Sequence, residues 1–265
     1  MDTDATEIRA SGFASDGYGW RARIGLIYMA SSVVMEPEFY AMTPPGVSIH
    51  TTRLRLPTVT VGGLADMAES KEVEECTRLL AEAPLDVIVF GGTSASFLHG
   101  KGWDEAMMDR MRGVSKGIPV TTTSTALLAA LRSLGTRRVV FATPYLDEVT
   151  QRGVRFLEEN GVSVMASRGL QLDEDHAIGV VEPATVYRLV KDLDRADADA
   201  AVISCTNLRT VGVIRSLEQD LGKPVVSAIQ ASLWHCLRMA GIRGGRREYG
   251  SLFGIPCAEL IRRVE

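Results

Sequence analysis

Short apolar runs alternate with stretches in which apolar side chains recur every three or four residues, and this alternation persists from Arg23 to Ala240. A compact apolar run bounded by turn chemistry predicts a buried strand, and the longer spacing predicts a helix with one face inward. Strands are expected at residues 23–28, 47–54, 87–90, 118–121, 138–143, 162–166, 200–204 and 225–226. The intervening spacing predicts a helix that begins at Met35 and ends before Pro44, one helix across 63–80, and others at 103–111, 125–134, 147–159, 185–193, 211–221 and 228–240. Ser124 is the expected cap of the fourth of these, and Pro183 sits at the start of the sixth. The polar stretch 167–179 reads as a loop able to cover a cleft. Such alternation implies α/β architecture with mostly parallel sheets covered on both faces.

Two of the apolar runs end abruptly in polar residues, and they correspond. Setting Asp86 against Asp199 places Val87-Ile88-Val89-Phe90 opposite Ala200-Ala201-Val202-Ile203, Gly92 opposite Cys205 and Thr93 opposite Thr206. Downstream, Gly117-Ile118-Pro119-Val120 answers Gly222-Lys223-Pro224-Val225. An internal repeat of this length predicts two similar Rossmann-like domains related by a pseudo-twofold axis, with the strand tips facing one cleft between them. The expected division is 21–135 and 136–240, with 1–20 frayed and the tail 241–265 packing back on the first domain; the final helix or tail would cross over. The competing reading is that βα units of any parallel sheet resemble one another.

Composition narrows the partners. The 265 residues carry 29 basic and 33 acidic side chains, a net charge of −4, interspersed rather than clustered. That balance gives no electrostatic footprint for nucleic acid or an anionic membrane, so a small soluble ligand is the expected partner, with a homo-oligomer compatible. No apolar run is long enough to span a bilayer, and Met1 to Trp20 lacks the pattern of a secretory signal, so a cytoplasmic location is expected. Cys76, Cys205, Cys236 and Cys257 form no CxxC pair, and His50, His99, His176 and His235 show no ligand spacing. GxGxxG and GxxxxGK[ST] are both missing. Neither a metal nor a cofactor is expected.

Chemistry concentrates at the two strand tips. Cys205 closes an apolar strand, where a helix start would lower its pKa and an apolar wall would raise it, and the sequence leaves the sign open. Cys76 lies on a helical stripe and reads as packing. Thr93 and Ser94 follow the Gly91-Gly92 turn with two hydroxyls and consecutive N–H groups, a combination that suits a carboxylate or an enolate oxygen, or else a plain helix cap.

Four segments resemble the aspartate/glutamate racemase superfamily, and within it the branch of arylmalonate decarboxylase and maleate cis-trans isomerase. They are Gly91-Gly92-Thr93-Ser94-Ala95-Ser96-Phe97, Thr122-Thr123-Ser124-Thr125-Ala126, Ala142-Thr143-Pro144-Tyr145-Leu146-Asp147 and Ser204-Cys205. The superfamily typically places two cysteines across the substrate; here Gly92 stands at the first position, as in the arylmalonate decarboxylases. The resemblance implies that Thr93, Ser94 and Tyr145 form a dioxyanion hole and that Cys205 donates the proton, with Thr206, Ser124 and Thr125 as further substrate contacts. Ser31-Ser32 and Pro44-Pro45-Gly46-Val47-Ser48 are closer to maleate isomerase, although Val33 replaces its substrate-binding asparagine. The resemblance therefore implies a cofactor-independent decarboxylase of a substituted malonate or similar small dicarboxylate, stereospecific because only one thiol is present. A thiol added at Gly92 is expected to introduce racemisation. A maleate isomerase or Asp/Glu racemase-like enzyme is the alternative, and a non-catalytic small-acid-binding protein a further one.

Overall fold

The computed structural model describes residues 17–243 and 245–255. In chain order these comprise β1 (Ala22–Met29), α1 (Met35–Met42), β2 (Val47–Leu54), α2 (Val61–Glu69), α3 (Glu72–Leu80), β3 (Val87–Phe90), α4 (Thr93–Phe97), α5 (Trp103–Arg112), β4 (Val120–Thr122) and α6 (Thr123–Leu134). The second half repeats the plan with β5 (Arg138–Tyr145), α7 (Asp147–Glu159), β6 (Ser163–Leu172), α8 (Asp175–Gly179), α9 (Pro183–Leu193), β7 (Ala200–Ile203), α10 (Val211–Leu221), β8 (Val225–Ser227) and α11 (Ala228–Met239). Two short 3-10 turns, Arg247–Tyr249 and Ser251–Gly254, follow.

The strands form two four-stranded sheets of identical order, β2-β1-β3-β4 and β6-β5-β7-β8, and every pairing is parallel. Both central strands of each sheet are buried along nearly their whole length, which is why they read as continuous apolar runs. The repeat is also visible in hydrogen bonds. Asp86 Oδ2 accepts from the Arg23 amide at 2.7 Å, and Asp199 Oδ2 accepts from the Arg138 amide at 3.0 Å. Asp199 is further held by the Arg138 guanidinium, which keeps its carboxyl at about 2, below the usual carboxylate range. Each aspartate thus anchors the start of its half's central strand pair.

Three local expectations are corrected. The single helix across 63–80 is two helices, because Ser70 leaves helical conformation, its hydroxyl donating to the Met67 carbonyl and accepting from the Glu72 amide. The helix after β4 starts at Thr123, and its cap is Thr122, whose hydroxyl accepts from the Thr125 amide; Ser124 lies inside the first turn. The stretch 167–179 is not a plain loop. β6 continues to Leu172, pairing Leu172 with Tyr145, and α8 follows. β6 is an edge strand, and its far part, Ser167-Arg168-Gly169-Leu170-Gln171-Leu172, is mostly polar and contains a glycine, which made it read as loop.

α6 and α11 pack against each other between the sheets, and each reaches across: α11 touches β3 and α1, and α6 touches β8. A capping box between Ser227 and Gln230 starts α11, and Gln230 Nε2 donates to the Tyr249 carbonyl. The described part of the tail lies on α10 and α11, with Ser251 held by Glu218 and Arg246 donating to the Ala41 carbonyl. Most of the segment 1–20, expected to be frayed, and the tail beyond 255 lie outside the described residues. No described helix is long and apolar enough to cross a membrane.

Candidate active site

The tips of β3 and β7 are stitched together across the two halves. Gly91 donates its amide to Ile27 at 2.8 Å, Ser204 donates to Ala142 at 2.9 Å, and Thr206 Oγ1 crosses to the Gly91 carbonyl at 2.8 Å. Fully buried Tyr28 donates its hydroxyl to the Thr206 carbonyl at 2.8 Å and accepts the Met35 amide at 3.0 Å. Asn207 extends the seam, its Oδ1 accepting from the Val33 amide at 2.9 Å and its Nδ2 donating to the Asp175 carbonyl at 2.7 Å. Three of these bonds join groups more than 100 residues apart in sequence, so the position of Cys205 depends on both halves at once.

Between the tips lies a narrow cavity of about 20 Å³. Part of its lining is polar: Thr93, Ser94, Tyr145, Cys205, Ser32, Asp175, Thr206 and Asn207. Another part is apolar, contributed by Met29, Leu56, Val59, Leu64, Met67 and Ile178. The loop before α2 and α2 itself supply most of the apolar part.

Cys205 is 4% exposed, and burial pushes its thiol up to about 12. The Tyr145 hydroxyl and the amides of Asn207 and Leu208 pull the other way, the Asn207 amide standing 3.2 Å from Sγ, and they do not offset the loss of water. On the sign left open by the sequence, burial is the larger effect and favours the thiol. Tyr145 lies against the Ser94 hydroxyl and the Cys205 thiol, and burial raises its phenol well above the ordinary value. Its ring is wedged edge-on by Phe97 of the first half, with centroids 6.4 Å apart. Thr93 is 1% exposed, and its Oγ1 has no hydrogen-bond partner. Buried hydroxyls are ordinarily paired, so this one is a vacant donor at the cavity wall.

Gly92 has φ −120°, a conformation open to any residue, so its lack of a side chain is a matter of room. A Cβ there would stand 2.6 Å from Phe90 Cε1 and 3.2 Å from Met29 Cε. A side chain at position 92 therefore requires buried Phe90 to shift.

The structure brings Gly92, Thr93, Ser94, Tyr145, Cys205 and Thr206 to one cavity. Thr206 donates its hydroxyl to Gly91, so it braces the seam. Ser124 and Thr125 are not on the cavity wall. Ser124 Oγ bonds Ser96 Oγ at 2.6 Å and the Thr93 carbonyl at 3.2 Å, supporting Thr93 from behind, and Thr125 Oγ1 donates to Asp104 at 2.6 Å. Sequence reasoning missed Tyr28 and Asp175, and placed Ser32 and Asn207 only at strand-end tips without a named role. Ser31-Ser32 after the first strand was a visible turn, whereas Asp175 sat in the stretch without periodicity. Among the described residues no cluster of three His, Cys, Asp or Glu side chains has metal-binding geometry.

Comparison with known proteins places this geometry. The family model described as arylmalonate decarboxylase matches residues 24–253. An arylmalonate decarboxylase of Bordetella bronchiseptica is 37% identical over 235 residues, covering 87% of this chain and 95% of that protein. Among solved structures, a liganded double mutant of arylmalonate decarboxylase, with glycine changed to cysteine and cysteine to serine, superposes with a TM-score of 0.81 at 34% identity, covering 88% of this chain and 98% of the other. A cysteine-to-serine mutant of Nocardia farcinica maleate cis-trans isomerase, with a covalently bound succinylcysteine intermediate, gives 0.82 at 27% identity, again covering 88% and 98%.

Proposed function

Because the chain belongs to the arylmalonate decarboxylase family, whose relatives are decarboxylases and isomerases, we propose that it is a cofactor-independent decarboxylase of a substituted malonate or similar small 1,1-dicarboxylate. The observation that carries this reading is a single buried thiol beside a cradle of hydroxyls, one of which is vacant.

One carboxylate of the substrate takes hydrogen bonds from Thr93 Oγ1, Ser94, Tyr145 and the first-turn amides of α4, which have no partner inside that short helix. The other is pressed against Met29, Leu56, Val59, Leu64, Met67 and Ile178, which solvate its charge poorly. Cleavage of the carbon–carbon bond releases this group as neutral CO₂ and leaves its electron pair on the central carbon, delocalised as an enediolate onto the cradled oxygens. Preorganised donors of this kind are worth about 3–4 kcal/mol each in the transition state. The Cys205 S–H then gives its proton to the carbon. The resulting thiolate is held by the Asn207 amide and Tyr145 until water reprotonates it. With glycine opposite, the proton arrives from one side.

The test is CO₂ release from phenylmalonate. Cys205→Ala is expected to lower turnover about 10²–10⁴-fold, the range for loss of a positioned proton donor, and to abolish enantiomeric excess in the product of a prochiral malonate. Undiminished, stereospecific turnover in that variant would remove the proposed donor.

The likeness to maleate isomerases supports a second reading, in which Cys205 adds to a double bond. That route needs a thiolate, and burial favours the thiol. Incubation with maleate, followed by proton NMR for fumarate, separates the two.

A further inference from the structure

Asp175 is the one charged side chain among the residues lining the cavity, and the mechanism above gives it no task. Its Oδ2 accepts the hydroxyls of Ser31 at 2.7 Å and Ser32 at 2.6 Å, and Asn207 clasps its carbonyl, so the carboxylate is fixed in orientation. None of the described residues donates to Oδ1. Neither lysine nor arginine shares the wall. The nearby Arg53 is engaged by the carbonyls of Met29 and Ser32 and by Glu36.

A fixed, half-buried carboxylate in a small cavity repels an anion and goes unpaired where an alkyl or aryl group covers it, whereas a donor satisfies it. A dicarboxylate alone brings only like charge to that oxygen. We propose that Asp175 is a specificity-determining residue: the site takes a 1,1-dicarboxylate whose central carbon bears a hydrogen-bond donor, foremost an ammonium group, which Asp175 Oδ1 receives. This rests on the decarboxylase reading and narrows its substrate class to aminomalonates. Ser31 and Ser32 come from the first half and Asp175 from the second, so both halves hold the acceptor in place.

The test uses a pair matched in size, aminomalonate and methylmalonate, in which ammonium replaces methyl. Wild-type protein is expected to favour aminomalonate about tenfold or more in kcat/KM for CO₂ release, the scale of one charge-assisted hydrogen bond. Asp175→Asn keeps an acceptor for the two serines and removes the charge; it should lose most of that preference, and Asp175→Val should reverse it. A residue serving only as a clasp would affect both substrates alike. Calorimetric Kd values for the same pair on Cys205→Ala read the preference independently of turnover. No CO₂ from either diacid, with the binding preference intact, would sink the decarboxylase reading and leave the specificity. Turnover of both without preference, or a preference unchanged in both variants, would overturn the specificity and leave the decarboxylase. No turnover and no binding preference would overturn both.

Discussion

Thr93 holds a buried hydroxyl that no protein group satisfies, so its cost to the unliganded fold and its use in the site are two sides of one arrangement. Leaving such a group unpaired costs about 1–3 kcal/mol. Thr93→Val is therefore expected to raise Tm by about 2–4 °C in a thermal scan while lowering kcat/KM for decarboxylation about 10²-fold. Cys205 makes a prediction about pH. Since burial pushes its thiol up to about 12, the acid form persists through the neutral and mildly alkaline range, and CO₂ release should show no thiol-dependent inflection between about pH 7 and about pH 10. Activity that rises through the ordinary cysteine range would mean that thiolate is the working form. At Gly92 the constraint is steric. Gly92→Cys should lose about 1–3 kcal/mol in denaturant titration through its clash with Phe90, and pairing it with Phe90→Leu should recover part of that loss and allow product racemisation, read by chiral chromatography.

Among the elements, α1 and α10 are joined by a device that the catalytic residues do not touch. Glu38 of α1 accepts from the Thr210 and Val211 amides at 2.7 and 3.1 Å and from the Thr210 hydroxyl at 3.0 Å, closing the amino end of α10. Burial outweighs these bonds and lifts its carboxyl from 4.5 to about 7. A raised folded-state value stabilises fully below the unfolded one and is lost as pH climbs through the folded one, so the protein should lose stability between about pH 4.5 and about pH 7. Glu38→Gln keeps the acceptor oxygen and should flatten this dependence, gaining about 1–2 kcal/mol at about pH 8, discounted for the half-exposed rim. A pH series of thermal melts checks it. The central strands of both sheets were legible because their burial on both faces writes itself as local apolar runs, and β2 because its residues alternate. The break at Ser70, the cap at Thr122 and the extension of β6 were not, since each depends on which hydroxyl or edge is satisfied.

On the scale of the molecule, the two halves share their core. α6 and α11 bridge the sheets, Phe97 of one half packs on Tyr145 and Phe156 of the other, and the Tyr28–Thr206–Asn207 seam crosses the cleft. With so many buried groups common to both, unfolding should be one cooperative event, with near-ultraviolet and far-ultraviolet circular dichroism giving coincident transitions. Two separated transitions would mean that the halves fold as separate units.

The sequence by itself determined the alternation of strands and helices, the doubling of the pattern about Asp86 and Asp199, and the opposition of Gly92 to Cys205, because apolar runs, turn residues and repeats are local properties that neighbouring residues carry. The tertiary structure decided that burial favours the thiol, that Ser124 backs Thr93 rather than facing the cavity, and that a carboxylate stands on the cavity wall. Those outcomes depend on exclusion of water and on partners far along the chain, as with Ser32 and Asp175, 143 residues apart, and such distances acquire meaning only once the two sheets have closed on each other.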